Sequence, residues 1–128
     1  MSQQETDFLK TPAGAKMAAP LKRGLLEFIV LKTLDAESLF ADDLYLFLRT
    51  TAFACPRGTL YPLLRKLMRA ELLFQCREES ESGWPRKYYY LTDAGKERLR
   101  SLTKIWRRLC RDTETIDRMA IVTKLSTP

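Results

Sequence analysis

The chain has 128 residues and a net charge of +6, from 22 Lys and Arg against 16 Asp and Glu, and it contains no histidine. That length supplies one domain with a real core but cannot bury a long extra helix, so one domain plus an assembly element is expected. The charge favours an anionic partner, nucleic acid or a membrane surface. Without His, the usual general base, the commonest transition-metal ligand and every His-containing triad are gone; an enzyme is not expected, nor a metal or cofactor.

Gly14, Gly24, Gly58, Gly83 and Gly95 are too scattered to form a phosphate loop. Cys55, Cys76 and Cys110 are odd in number and lack any C-x-x-C, which suggests neither a disulfide framework nor a zinc site and points to buried or inert reduced thiols before redox sensing. No apolar run approaches the roughly 20 residues needed to cross a bilayer. The opening MSQQETDFLK is polar and acidic, unlike a signal peptide, so a cytoplasmic protein with no membrane partner is expected.

Residues 1–18 mix polar residues with Pro, Gly and Ala without periodicity and read as a flexible arm, ahead of a folded unit over residues 19–92. Pro20 suits the first turn of a helix reaching Leu34, apolar at positions 21, 25, 26, 28 to 31 and 34. So broad an apolar surface suggests contact with the core on one side and a partner subunit on another. A second helix, from Ala41 or Asp42 to Arg49, places Asp42 and Asp43 at its positive end and Leu44, Phe47 and Leu48 in a buried stripe.

The stretch RGTLYPLLRKLMRAELL, Arg57 to Leu73, carries the most information. Leu60, Leu63, Leu64 and Leu67 share one helical face, which leaves Arg57, Thr59, Tyr61, Arg65, Lys66 and Arg69 pointing mostly elsewhere, with no carboxylate before Glu71. Such a surface suits a phosphate backbone and base edges. Pro62 lacks the N–H that would bond the Gly58 carbonyl, so an irregular first turn is expected in a helix running from Pro56 or Arg57 to about Ala70.

A strand over about Leu73 to Arg77, a turn EESESGWP over residues 78–85 and a second strand, Arg86 to Leu91, follow. Helix, strand, turn, strand is the outline of a winged helix with a two-stranded wing. Arg86 and Lys87 restore positive charge where the wing returns, and at least one of Tyr88, Tyr89 and Tyr90 must face the core.

Thr92 suits an N-cap for a last helix spanning residues 93–122, before a short tail at 123–128. Leu99, Leu102, Trp106, Leu109, Thr113, Ile116 and Ala120 alternate in steps of three and four, widened by Ile105 and Met119. This is an a/d seam of the kind that buries against another helix, here a second subunit. The fold class is therefore mainly α with a small β wing: a winged helix-turn-helix plus a long C-terminal dimerisation helix.

The runs TLYPLL (Thr59 to Leu64), RKYYYLTDAG (Arg86 to Gly95) and LKRGLLEFIVLKTL (Leu21 to Leu34), in this order and spacing, resemble PadR-type transcriptional regulators. The resemblance implies a homodimeric, sequence-specific repressor of double-stranded DNA targets that responds to small molecules. Thr59, Tyr61 and Arg65 are then the base-proximal candidates, while Arg57, Lys66, Arg69, Arg86 and Lys87 neutralise phosphate and fix register. Leu99, Leu102, Trp106, Leu109 and Ile116 are the dimerisation candidates.

Trp106 stands fifteen residues after Leu91, matching a Trp that some such regulators place in a ligand-accepting dimer interface. Leu102, Ile105, Trp106 and Leu109 therefore form a candidate pocket for a small aromatic effector, with simple interface packing as the alternative. The chain departs from the family at Ala41, Asp42 and Asp43, where members usually carry a Gly-Tyr pair before an acidic residue. Those acids, with Glu78, Glu79 and Glu81 at the wing tip, favour a second reading: a winged-helix interaction or assembly module that does not bind DNA.

Overall fold

The computed structural model describes residues 3–79 and 81–126, with side chains from residue 7 to 119 apart from 80. The elements run α1 (Gln3–Lys10), α2 (Pro12–Ala36), β1 (Leu39–Phe40), α3 (Ala41–Leu48), α4 (Arg57–Arg69), β2 (Leu73–Glu79), β3 (Pro85–Leu91) and α5 (Asp93–Ser126).

The segment read from composition as a flexible arm is helical over its described part. Thr11 makes the difference: its hydroxyl accepts from Gly14 N at 3.0 Å and donates to Phe8 O at 2.7 Å, while Pro12 opens α2. Gly14 is required there, because a Cβ would sit 1.9 Å from the Phe8 carbonyl oxygen. Ala-rich sequence then carries the helix through Pro20, which lies inside α2 and not at its start. Caps and alanines leave no apolar period to read.

Leu26, Val30, Leu31 and Leu34 of α2, Leu44 and Leu48 of α3, and Leu60, Leu64 and Leu67 of α4 form the core together with Leu73, Tyr89 and Leu91 of the sheet. Phe47, expected in the buried stripe of α3, is instead 47% exposed. The eight-residue helix aims only its i, i+4 pair inward, and Phe47 falls on the flank.

The antiparallel sheet has order β1-β3-β2. The wing strands extend further than their sequence suggests, to the pairs Glu79↔Pro85 and Glu78↔Arg86, closing over Gly83 at φ +83°. The third strand, β1, is two residues long and pairs Leu39 with Tyr89 and Phe40 with Tyr88. So short a strand has no alternation to betray it; only its position beside β3 makes it one. Tyr89 is the tyrosine of the run that is buried, as alternation requires, and Tyr88 and Tyr90 lie on the opposite face.

At the end of α4 the chain reverses in a Schellman turn: Leu72 N donates to Leu67 O and Glu71 N to Met68 O, both at 2.9 Å, with Glu71 in the left-handed region at φ 60°. Thr92 then caps α5, its hydroxyl accepting from Gly95 N at 3.0 Å and donating to Glu71 O at 2.6 Å. With 34 residues α5 is about 51 Å long at 1.5 Å per residue, and it runs through most of the segment expected to be a tail. Its first turns pack on the domain through Leu99 and Leu102, and Arg98 bonds Glu27 of α2 at 3.0 Å. Beyond them Ile105, Leu109, Ile116 and Met119 are 54 to 65% exposed.

Candidate nucleic-acid interface

Helix α4 is uninterrupted. Thr59 N and Leu60 N both bond Pro56 O, at 2.9 and 3.1 Å, so the first turn is closed and Pro62 removes only the bond to Gly58 O. The irregular first turn expected from Pro62 is absent, because Pro56 supplies the carbonyl that starts the helix.

With Leu60, Leu64 and Leu67 buried, the helical period of about 100° per residue sets Gly58, Pro62 and Arg69 on the outermost face, with Arg65 and Lys66 roughly 50° to either side of it. Arg65, Lys66 and Arg69 are all exposed. Gly58 has open space where a side chain would stand, so backbone can approach a ligand there. Sequence reading passed over Gly58 and Pro62 because it looked for charge, not for the small outward residues that lower the helix surface.

The flanks of α4 are different. Thr59 lines a cleft shared with Lys22 and Arg23 of α2, where Lys22 Nζ bonds Ala54 O at 3.2 Å. Cys55 is half-buried in the same cleft, and burial pushes its thiol pKa up. Arg57 and Tyr61 take the other flank, toward α3. There the Tyr61 hydroxyl donates to Asp42 Oδ1 at 2.5 Å, Arg57 Nε lies 3.6 Å from the same oxygen, and the Arg57 guanidinium stacks over Tyr45 at 4.1 Å. The Tyr61 hydrogen bond, helped by Arg57 and Arg86, holds the Asp42 carboxyl below its ordinary pKa, and the same bond raises the Tyr61 phenol. Asp42 is therefore more than a helix-capping acid.

Of the wing cations, Arg86 is half-buried and lies over the Phe40 ring at 4.3 Å, whereas Lys87 is exposed. Consecutive strand residues face opposite ways, so these two do not serve one surface. Lys87 instead pairs across the ladder with Arg77, a cation that sequence reading left out and that the register supplies. On the other wing face Phe74 stacks on Tyr90 at 5.5 Å, and Tyr90 donates its hydroxyl to Glu78. Trp84, at the wing tip, is 74% exposed.

Of the four residues expected to line an effector pocket, Trp106 lines a cleft of about 210 Å³ within one protomer, against Leu25, Phe28 and Ile29 of α2, with Lys32 and Arg107 at its rim. Leu102 packs on the core, while Ile105 and Leu109 project outward. The α2 helix is the part that sequence reading missed, since nothing in the spacing of α5 tells which face of α2 meets it.

A three-helix core with a β wing, an exposed cationic helix and a long trailing helix defines a winged-helix transcription regulator. Residues 30–101 match the PadR-like transcriptional regulator family model, and the chain belongs to that family. It is similar to a Streptococcus transcriptional regulator, at 32% identity over 76% of this chain and 96% of that one, with a TM-score of 0.71. A PadR family regulator from Eggerthella lenta gives 33% identity over 80% and 89% of the two chains, with a TM-score of 0.69. Bacillus subtilis PadR in complex with operator DNA shares the fold, at 22% identity over 62% of this chain and 45% of that one and a TM-score of 0.55. No curated protein sequence matches the chain. No helix among the described residues is long and apolar enough to cross a membrane.

Proposed function

We propose that the protein is a cytoplasmic, homodimeric repressor that reads double-stranded DNA with α4 in the major groove. The observation that carries this reading is the outer face of α4, where Arg65, Lys66 and Arg69 stand exposed without an acid partner among the described residues. Arg65 and Tyr61 are the base readers and Thr59 a third, on the opposite flank. Arg57, Lys66 and Arg69 hold phosphates along α4, and the wing cations Arg86 and Lys87, on opposite faces of β3, hold phosphates at separate points. The operator complex of Bacillus subtilis PadR supports DNA as the partner through the shared fold.

Dimerisation through α5 is supported by its uncovered seam, Leu109 and Ile116 above all, with Trp106 beside them and Leu99 and Leu102 anchoring the helix base. An effector site at Trp106 is the finer part of the proposal. A cleft of about 210 Å³ is small beside the 300 Å³ or more typical of ligand pockets, so a partner subunit would complete it. Lys32 and Arg107 at the rim favour a neutral or anionic aromatic compound over a cation.

Fluorescence anisotropy with labelled random-sequence and selected operator duplexes, at several salt concentrations, tests the reading. Binding that weakens steeply with salt and prefers the selected duplex is expected. The assembly-module alternative draws on Asp42, which already engages Arg57 and Tyr61. It predicts no duplex binding even at low salt.

A further inference from the structure

We infer that Asp42 is a specificity-determining residue: its carboxylate occupies the anion position between Arg57 and Tyr61, so that a DNA phosphate must compete for that arginine while the tyrosine is held in one orientation. The inference rests on the proposed DNA-binding role of α4. Asp42 lies in the first turn of α3, where the helix dipole favours the carboxylate. One oxygen, Oδ1, faces both Tyr61 Oη at 2.5 Å and Arg57 Nε at 3.6 Å. Arg57 is the first residue of α4, and its guanidinium lies over the ring of Tyr45, from the same α3 helix as Asp42, at 4.1 Å. Two elements of the DNA-facing surface are thus joined through one acid.

Asp42 is surface-exposed, its side chain 55% accessible, so the arrangement is not a buried core pair. Exposed ion pairs are weak and exchange readily, and a phosphate oxygen offers Arg57 the same geometry that the carboxylate does. The two effects act in opposite directions on DNA. Competition for Arg57 lowers affinity for every sequence alike, because phosphate contacts carry no sequence information. Anchoring of Tyr61 preserves discrimination, because a reader held in one rotamer fits only the bases it matches. Asp43, the next residue, is exposed and makes no ion pair among the described residues, which makes it a charge-matched control.

The experiment compares the full-length parent with Asp42→Asn, Asp42→Ala, Asp43→Asn and Asp42→Asn/Arg57→Gln, using random-sequence duplex and an operator selected with the parent. Asn keeps an oxygen for Tyr61 and loses the charge, whereas Ala loses both. Asp42→Asn is expected to raise random-duplex affinity about fivefold at low salt and to steepen the log K against log salt slope by about 0.9, one more phosphate contact. Operator affinity should rise by the same factor in Asp42→Asn, where Tyr61 keeps its acceptor, and by less in Asp42→Ala, where Tyr61 loses it, so the specificity ratio falls only in Asp42→Ala. Asp43→Asn should change the random-duplex affinity less than about twofold with no change in slope. The double variant should return to the parent slope. Equal effects of Asp42→Asn and Asp43→Asn, or a parent slope retained in Asp42→Asn, would overturn the inference while the DNA-binding reading stands. No duplex binding by the parent or any variant overturns both.

Discussion

The indole of Trp106 lies 6.2 Å from the ring of Phe28, tilted by 42°, so a residue at the centre of the expected dimer seam already has an aromatic partner in its own subunit. Phe28 is buried at 6% exposure although it stands apart from the main core, and Lys32 Nζ sits 5.8 Å above its ring. Trp106 therefore packs at the junction between α2 and α5 and is still 39% exposed.

That arrangement makes Trp106 a reporter. In a Trp84→Phe variant it is the remaining indole of the chain. Titration with planar aromatic carboxylates should quench its emission, and Lys32→Ala or Arg107→Ala should weaken the effect by roughly 0.5–1.5 kcal/mol for each lost charge-assisted contact. An unchanged emission across a broad set of such compounds would remove the effector site and leave the repressor reading in place.

The uncovered seam predicts a dimer that charge can break. Glu at Leu109 or Ile116 would place a carboxylate in an apolar interface, where burial of an unpaired charge is strongly unfavourable. Sedimentation equilibrium should show the parent as a dimer and either variant as a monomer with its helical circular dichroism largely kept. A variant still dimeric at micromolar concentration would move the interface away from α5.

Arg65 and Lys66 are neighbours with different expected roles, and their Ala variants should behave differently. Arg65 lies on the Tyr61 side of the outer face and is a proposed base reader, so its loss should cost about 1–3 kcal/mol on operator DNA and relax sequence preference. Lys66, on the other side of that face, is a proposed phosphate contact, and its loss should weaken all duplexes alike and lower the salt slope by about 0.9. Anisotropy on both DNAs separates the cases.

Gly95 should tolerate nothing larger. A Cβ there would sit 2.1 Å from the Leu72 carbonyl oxygen, a backbone atom that cannot swing aside, at the point where the cap of α5 meets the turn after α4. Gly95→Ala should lower stability by about 1–3 kcal/mol in urea unfolding, as overpacking does. The equivalent change at Gly58, with open space around it, should be nearly neutral for folding.

The Tyr61 contact should respond to pH at both extremes and be flat between them. The phenol is raised above its ordinary 10.0 by the bond to Asp42, so that contribution to stability is complete below pH 10 and is lost as pH rises through the folded value. Asp42 is lowered from 3.8, chiefly by Tyr61, so its contribution is present above that value and is lost as pH falls through the folded one. Ultraviolet titration of the parent minus Tyr61→Phe should show a late-ionising phenol that moves to lower pH in Asp42→Asn. A difference signal centred at the ordinary value in both would contradict the contact.

The amphipathic period of residues 57–69, the alternation of the tyrosine run and the three-four spacing of the last helix are legible from the chain alone, because each depends on how one element presents its own side chains. These suffice for the winged-helix class and for the exposed cations of α4. Where one element meets another, local pattern is silent. The two-residue strand β1 exists only because β3 lies beside it; Arg77 becomes a neighbour of Lys87 only through the ladder register; and the helical start of the chain depends on a Thr11 cap and a close approach at Gly14. Asp42 shows the limit most clearly: nineteen residues separate it from Tyr61, and the hydrogen bond between them follows from the packing of α3 on α4, through Leu44, Leu48, Leu60 and Leu64, which no spacing within either helix encodes.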